Sequence, residues 1–233
     1  ETDNRQTLIM IDFHIEINEQ LPPASAVFYA KSLGLRAIAL IADTDHIPVS
    51  AEAIRNGNTQ EDINASPHIA SLLETQKYIH ELAVYYDMQV IFGIQLRHVP
   101  PALLETAVAF YRSINIPFIG VHGESISDIV EKGTNFSAIR AKADILFNAG
   151  LIDEKCVELA KENNVFLEVS THPKHAYANA HLAKLADKHG AKLALGSKAR
   201  SLHEIHSPEM QRMILKGACV EKENSYELLQ KIQ

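Results

Sequence analysis

Lys31-Ser32-Leu33-Gly34-Leu35-Arg36-Ala37-Ile38-Ala39 carries the chain from one structural period into another. Upstream, Pro22-Pro23 opens an amphipathic run to Leu33 that reads as a helix, and Gly34 stands where a helix C-terminus takes a left-handed cap. Downstream, Ala37–Ile41 is a short, continuous apolar run, the signature of a strand buried on both faces. Helix, glycine and buried strand in immediate succession form the αβ half of a βαβ unit.

The same alternation repeats along the chain. Candidate strands are Leu8–Phe13, Ala37–Ile41, Val90–Ile94, Phe118–Val121, Ile145–Phe147, Val165–Val169 and Leu193–Leu195. Helix signals lie between them. Asp153 is placed to cap the helix carrying Val157 and Leu159. Asn179 is placed to cap one that Gly190 stops, and Ser207-Pro208 opens one that ends near Gly217. Glu223–Ile232 reads as a closing helix. Seven βα units predict a parallel sheet closed, or nearly closed, into a barrel with helices outside. The expected fold is therefore a distorted seven-stranded (β/α) TIM-like barrel, one domain spanning residues 1–233. The polar stretch Ser50–Ser66 follows the second strand and is expected as a loop over the active face.

Composition narrows the function classes. Hydrophobic residues make up 46% of the 233, enough for a sizeable core, and no apolar run approaches the roughly 18 residues of a membrane span. A net charge of −7 argues against nonspecific nucleic-acid binding. No signal-peptide pattern opens the sequence, and Cys156 and Cys219 have no metal-binding spacing. Both are expected to be reduced core thiols in a cytoplasmic protein. P-loop, nucleophile-elbow, dinucleotide and HExxH motifs are absent from the sequence.

In parallel barrels chemistry gathers at the C-terminal ends of strands. Asp12, His14 and Glu16 follow the first apolar run, and Asp43, Asp45 and His46 the second. Gln95 follows the third, His122 the fourth and Asn148 the fifth. Lys198 and Arg200 follow the seventh. Together they predict a polar pocket on one face.

The segments around this ring resemble the PHP phosphoesterase family, named after polymerases and histidinol phosphatases, and its histidinol-phosphatase-like branch in particular. Ile11-Asp12-Phe13-His14-Ile15-Glu16 resembles that family's opening D-x-H-x-H. Val90-Ile91-Phe92-Gly93-Ile94-Gln95 resembles V-I-x-G-h-E, and Gly120-Val121-His122-Gly123-Glu124 resembles V-H-G-E. Asp144–Gly150 resembles D-I-L-A-H-P-G, and Leu193–Arg200 resembles the final strand with S-D-A-H. The resemblance implies a seven-unit barrel with a multi-metal phosphoesterase site. It also implies that most ligands have been replaced. Glu16 stands at the second histidine, Gln95 at the bridging glutamate and Asn148 at a histidine. Lys198 stands at an aspartate and Arg200 at a histidine. The T-D-H position reads either Ile41-Ala42-Asp43 or, after a shift, Thr44-Asp45-His46.

From this resemblance the expected function is a degenerate barrel acting as a scaffold or binding subunit for a protein partner. Lys198 and Arg200 are expected to pair with Asp12, Glu16 or Asp43 in place of metal. One alternative is a hydrolase with a reduced site, in which His14, Glu16 and His122 hold a single zinc, manganese or iron ion. The other is a binder of a small anionic ligand contacted by Lys198 and Arg200.

Overall fold

The computed structural model describes residues 10–43 and 66–232. Asp45, His46 and nearly all of the Ser50–Ser66 stretch lie outside the described residues.

Seven parallel strands pair in sequence order: β1 (Ile11–Glu16), β2 (Ala37–Asp43), β3 (Gln89–Leu96), β4 (Phe118–His122), β5 (Ile145–Phe147), β6 (Phe166–Ser170) and β7 (Leu193–Gly196). Between them run α1 (Pro23–Ser32), α2 (Pro67–Tyr86), α3 (Leu104–Ser113), α4 (Thr134–Arg140), α5 (Glu154–Glu162) and α6 (Asn179–His189). Two helices follow β7, α7 (Pro208–Gly217) and α8 (Ser225–Ile232). The edge strands meet through a parallel bridge between Ile15 and Ala199. There Glu16 N donates to Ala199 O at 2.8 Å and Ala199 N to His14 O at 3.1 Å. The sheet is thus a nearly closed TIM-like barrel.

Side-chain alternation sorts the apolar residues into two bodies. Ile38, Leu40, Phe92, Ile94, Ile119, Leu146 and Leu167 face outward and pack under the helices. Ile11, Phe13, Ala37, Ile41, Phe118, Ile145, Phe147, Phe166 and Ala194 fill the barrel, and α8 closes its floor with Leu228 and Leu229. Asp144, at the foot of β5, ties that floor together. Its carboxylate accepts Ile119 N at 2.9 Å, meets Arg112 at 2.5 Å, and lies 3.3 Å from Lys231 on α8.

Local signals behave as their chemistry requires. Asp153 accepts from Cys156 N at 2.8 Å, and Gly190 takes the left-handed C-cap of α6. Asn179 begins α6 without capping it. Its amide bonds Ser170 N and O instead, pinning the end of β6. Cys156 is a buried free thiol, whereas Cys219 is exposed, in correction of its expected core position. No helix among the described residues is long and apolar enough to cross a membrane.

Candidate active site at the barrel mouth

β1 runs three residues beyond the expected Phe13 limit, so His14 and Glu16 join Asp12 on the strand and do not follow it. A register irregularity between Asp12 and Ile15 lets the strand continue while these polar side chains are wholly or almost wholly buried. The strand persists because its polar side chains find partners inside the barrel. Asp12 accepts from the backbone N–H groups of His14 (3.0 Å) and Ser197 (2.9 Å). His14 stacks on Phe147 at 3.8 Å between ring centres.

The deepest charge pair joins His14 Nδ1 to Glu168 Oε1 at 2.6 Å, and Glu168 Oε2 also accepts Asn148 N at 2.8 Å. Glu168 lies in the middle of β6, within a run that reads as apolar core, and the sequence reading missed it. Its readable signal is a lone carboxylate in a strand buried on both faces, which demands a partner inside the barrel. Gly196 makes the space: a Cβ there would sit 2.1 Å from Glu168 Oε1 and 2.7 Å from His14 Cβ. Burial opposes the charge on His14, but Glu168 and Glu16 together raise its pKa to about 9. Burial likewise opposes the charge on Glu168, and His14 overcomes it, holding the carboxyl below its ordinary range.

Nearer the surface, Glu16 is the hub of a second group. Gln95 Nε2 and Arg97 Nη2 both lie 3.0 Å from its Oε1, Arg200 Nε lies 2.7 Å from its Oε2, and His14 Nε2 stands 3.3 Å away. Arg97 also bridges to Asp43 at 3.0 Å, with Arg200 at 3.8 Å. Burial would raise the Glu16 pKa, but His14, Arg97 and Arg200 hold it well below the carboxylate range.

A third group spans β4, β6 and β7. Lys198 Nζ donates to Asp128 Oδ2 at 3.1 Å and to His175 Nε2 at 3.0 Å. His122 Nε2 lies 2.9 Å from the same Asp128 oxygen, though not aligned for a good hydrogen bond. An ammonium has no lone pair to accept with, so His175 Nε2 must be the acceptor and its Nδ1–H faces Ser125 Oγ at 2.9 Å. Asn148 Nδ2 approaches His122 Nδ1 at 3.3 Å, which leaves the His122 proton on Nε2, toward Asp128. Burial lowers both imidazole pKa values and Lys198 adds to the effect, bringing His175 to about 4. His122 and Lys198 in turn hold Asp128 well below the carboxylate range. Lys198 (φ 52°) and Asn148 (φ 49°) both adopt the left-handed conformation, at the ends of β7 and β5.

The sequence reading omitted Asp128, which lies in a polar loop with no motif around it. Arg97, which lies just beyond Gln95 after the third strand, and His175, which follows the sixth, complete the two groups. Lys198 meets Asp128, not Asp12, Glu16 or Asp43, whereas Arg200 meets Glu16 and Asp43. His14 and Glu16 adjoin, while His122 turns to Asp128 and Asn148. Among the described residues no group of three or more His, Cys, Asp or Glu side chains is arranged to hold a metal ion. The carboxylates of Glu16, Asp128 and Glu168 are each already matched by a cation within about 3 Å, so these residues do not fit a divalent ion.

No family model matches the chain. Solved structures that share its fold include an ochratoxinase from A. niger, with 14% identity, a TM-score of 0.52, and coverage of 96% of this chain and 69% of that one. An amidohydrolase is 12% identical, with a TM-score of 0.56 and coverage of 95% and 74%. The N6-methyl-AMP deaminase from Arabidopsis thaliana is 8% identical, with a TM-score of 0.50 and coverage of 94% and 89%. At these identities the likeness is one of fold. These neighbours are amidohydrolase-type barrels, and they overturn the resemblance to the PHP family. With it goes the support for a histidinol-phosphatase-like scaffold that has lost its phosphoesterase site. In sequence, the chain is 30% identical over 212 residues to Uncharacterized protein MJ1295 of Methanocaldococcus jannaschii, an alignment that covers 89% of this chain and 88% of the relative. The chain therefore belongs to the same family as that protein.

Proposed function

We propose that the chain is an enzyme of hydrolytic type, acting on a small molecule at the C-terminal mouth of the barrel. The observation that carries this reading is the convergence of Lys198 Nζ and the Nε2–H of neutral His122 on one oxygen of Asp128, at 3.1 and 2.9 Å. Two positively polarised donors fixed in a buried site are the equipment that stabilises a developing oxyanion. Asp128 is the partly exposed carboxylate of the group, 35% accessible, and so the one an incoming water reaches. In this scheme Asp128, drawn away from Lys198 and His122, takes the proton of the water that attacks the scissile carbon or phosphorus and returns it to the leaving group. Lys198 and His122 hold the oxygen that becomes negative, and the leaving group departs as that charge collapses. His175 positions Lys198 by accepting one of its protons. The fold shared with barrels named for ochratoxinase, amidohydrolase and deaminase activity supports the class of reaction.

A screen of simple amides, esters and phosphoesters tests it. Turnover of one class, reduced at least about a hundredfold in Lys198→Met, supports the assignment, since removing one such donor costs on that order. Turnover unaffected by Lys198→Met, or none with any class, overturns it. A binder of a small anionic ligand is the second reading, favoured by the same donor pair. It predicts thermal stabilisation by anions without product.

A further inference from the structure

Lys198, His122 and Asn148 are built into the barrel, with accessibilities of 6%, 1% and 4%. Asp128 is not. It belongs to the loop between β4 and α4, flanked by the exposed side chains of Ile126 and Ile129. Two of the three buried residues adopt the sparsely populated left-handed backbone. Such strain persists where the surroundings over-determine it, and it gathers at ligand sites. The fixed part of the cluster is thus cationic and rigid, while its anion comes from a surface loop. The fit is also imperfect: the buried Nε2 of His122 is 2.9 Å from Asp128 yet makes no aligned hydrogen bond.

We infer that Lys198 and His122 form a carboxylate-binding site, and that in the resting protein the side chain of Asp128 fills it in place of a ligand. This rests on the proposed function and deepens it: the substrate brings a carboxylate that displaces Asp128 and sets the reacting oxygen beside the same two donors. The displaced residue is then free to act on water, so ligand binding and release of the base are one event. The loop is anchored at its ends, where Glu124 accepts from the backbone N–H groups of Gly133 (2.9 Å) and Asn135 (3.0 Å). Near the plug, Ser125 Oγ meets His175 and Ser127 Oγ donates to Lys174 O at 2.5 Å. A competing carboxylate therefore has to break the Asp128 pair while the anchored ends and the strands stay in place.

Acetate is the probe, titrated into the full chain at constant ionic strength with chloride as the control anion, and followed by calorimetry and by the His122 imidazole resonances. Asp128→Ala is expected to bind acetate saturably and at least about tenfold more tightly than the wild type. Asp128→Ala/Lys198→Met is expected not to bind it, and chloride is expected to have no effect. A folded Asp128→Ala protein with no saturable acetate binding, or with wild-type affinity, overturns the inference. So does chloride acting as acetate does. Asp128→Asn keeps the side-chain shape and removes the charge. It provides the same comparison if the alanine variant does not fold, and unchanged acetate affinity there is equally fatal. Acetate binding requires no turnover. Loss of the hydrolytic reading with acetate bound, or turnover without acetate binding, would separate the two proposals.

Discussion

His14 and Glu168 form a fully buried ion pair, Nδ1 to Oε1 at 2.6 Å, linking the first strand of the barrel to the sixth. Pairs of this kind tie stability to pH. The His14 pKa is 6.5 in the unfolded reference and about 9 in the fold, so the folded state holds the proton more tightly. Its contribution is complete below about pH 6.5, declines as pH rises and is gone above about 9, a loss on the order of 3 kcal/mol. Glu168 is shifted downward, so its contribution is present above its ordinary range and is lost as pH falls through the lowered value. Chemical denaturation from pH 5 to 10 should show stability falling between pH 6.5 and 9, and His14→Gln should flatten that fall. A wild-type profile already flat over this interval would mean that the pair is not charged.

Gly196 should accept no larger residue. In Gly196→Ala the new methyl collides with Glu168 and with the Cβ of His14, neither of which can move without breaking the pair. Overpacking of a rigid core costs about 1–3 kcal/mol, and the loss here should reach the upper end. The same change in a Glu168→Ala background should cost less, because one of the two collisions is gone. Equal costs in the two backgrounds, measured by denaturant melts, would show that Glu168 is not the residue being displaced.

These two residues also show where sequence reading reaches its limit. Strands such as Ala37–Ile41 and Ile145–Phe147 were legible because burial on both faces leaves an unbroken apolar run. Polar residues at strand ends marked the mouth correctly as the place where charge gathers. What composition does not encode is pairing across the barrel. Glu168 sits in Val165–Val169 as one polar letter among apolar ones, and only barrel closure, which leaves β7 alone between β6 and β1, gives it His14. Asp128 is one acid in a polar loop, and only closure of the barrel brings it to Lys198. β1 was cut short at Phe13 because the apolar run stops there, whereas the backbone continues to Glu16 on the strength of contacts made by distant residues.

At the opposite end, Asp144 holds three elements with one carboxylate: the start of β4 through Ile119 N, α3 through Arg112, and α8 through Lys231. Asp144→Ala leaves the Ile119 amide unsatisfied and removes the charge partner of both cations, a loss of about 2–3 kcal/mol. Hydrogen exchange should quicken first in α8, which rests on the floor through Leu228 and Leu229. Uniform loss of protection would instead mark Asp144 as part of the global core.

Arg97 and Arg200 both reach Glu16, yet they should not be equivalent. Arg97 is 12% accessible and serves Glu16 and Asp43 together, whereas Arg200 is 53% accessible at the rim. Arg200→Ala should cost less than about 1 kcal/mol, as exposed pairs do. Arg97→Ala strips a buried carboxylate of its more buried arginine and should cost about 3 kcal/mol. High salt should weaken the Arg200 contribution and leave that of Arg97 nearly intact. If the two substitutions proved equal in thermal melts, Glu16 would have to be more solvated than its 1% accessibility implies.

Lys198 sets the protonation of its neighbours, and this can be read residue by residue. Burial is the first cause of the low His175 pKa, and the ammonium of Lys198 at 3.0 Å is the second. Lys198→Met removes the second and leaves the first. The His175 pKa should therefore rise from about 4 without reaching the ordinary histidine value of 6.5. His122 should move in the same direction, because Lys198 depresses it too and the Asp128 carboxylate, no longer shared, pulls it upward. NMR titration of the imidazole carbons resolves both shifts in one experiment. A rise at His122 alone would place Lys198 nearer to Asp128 than to His175 and remove its positioning by His175. No movement at either ring would mean that the ammonium does not occupy the mouth, and the donor pair proposed to hold the oxyanion would lose its stronger member.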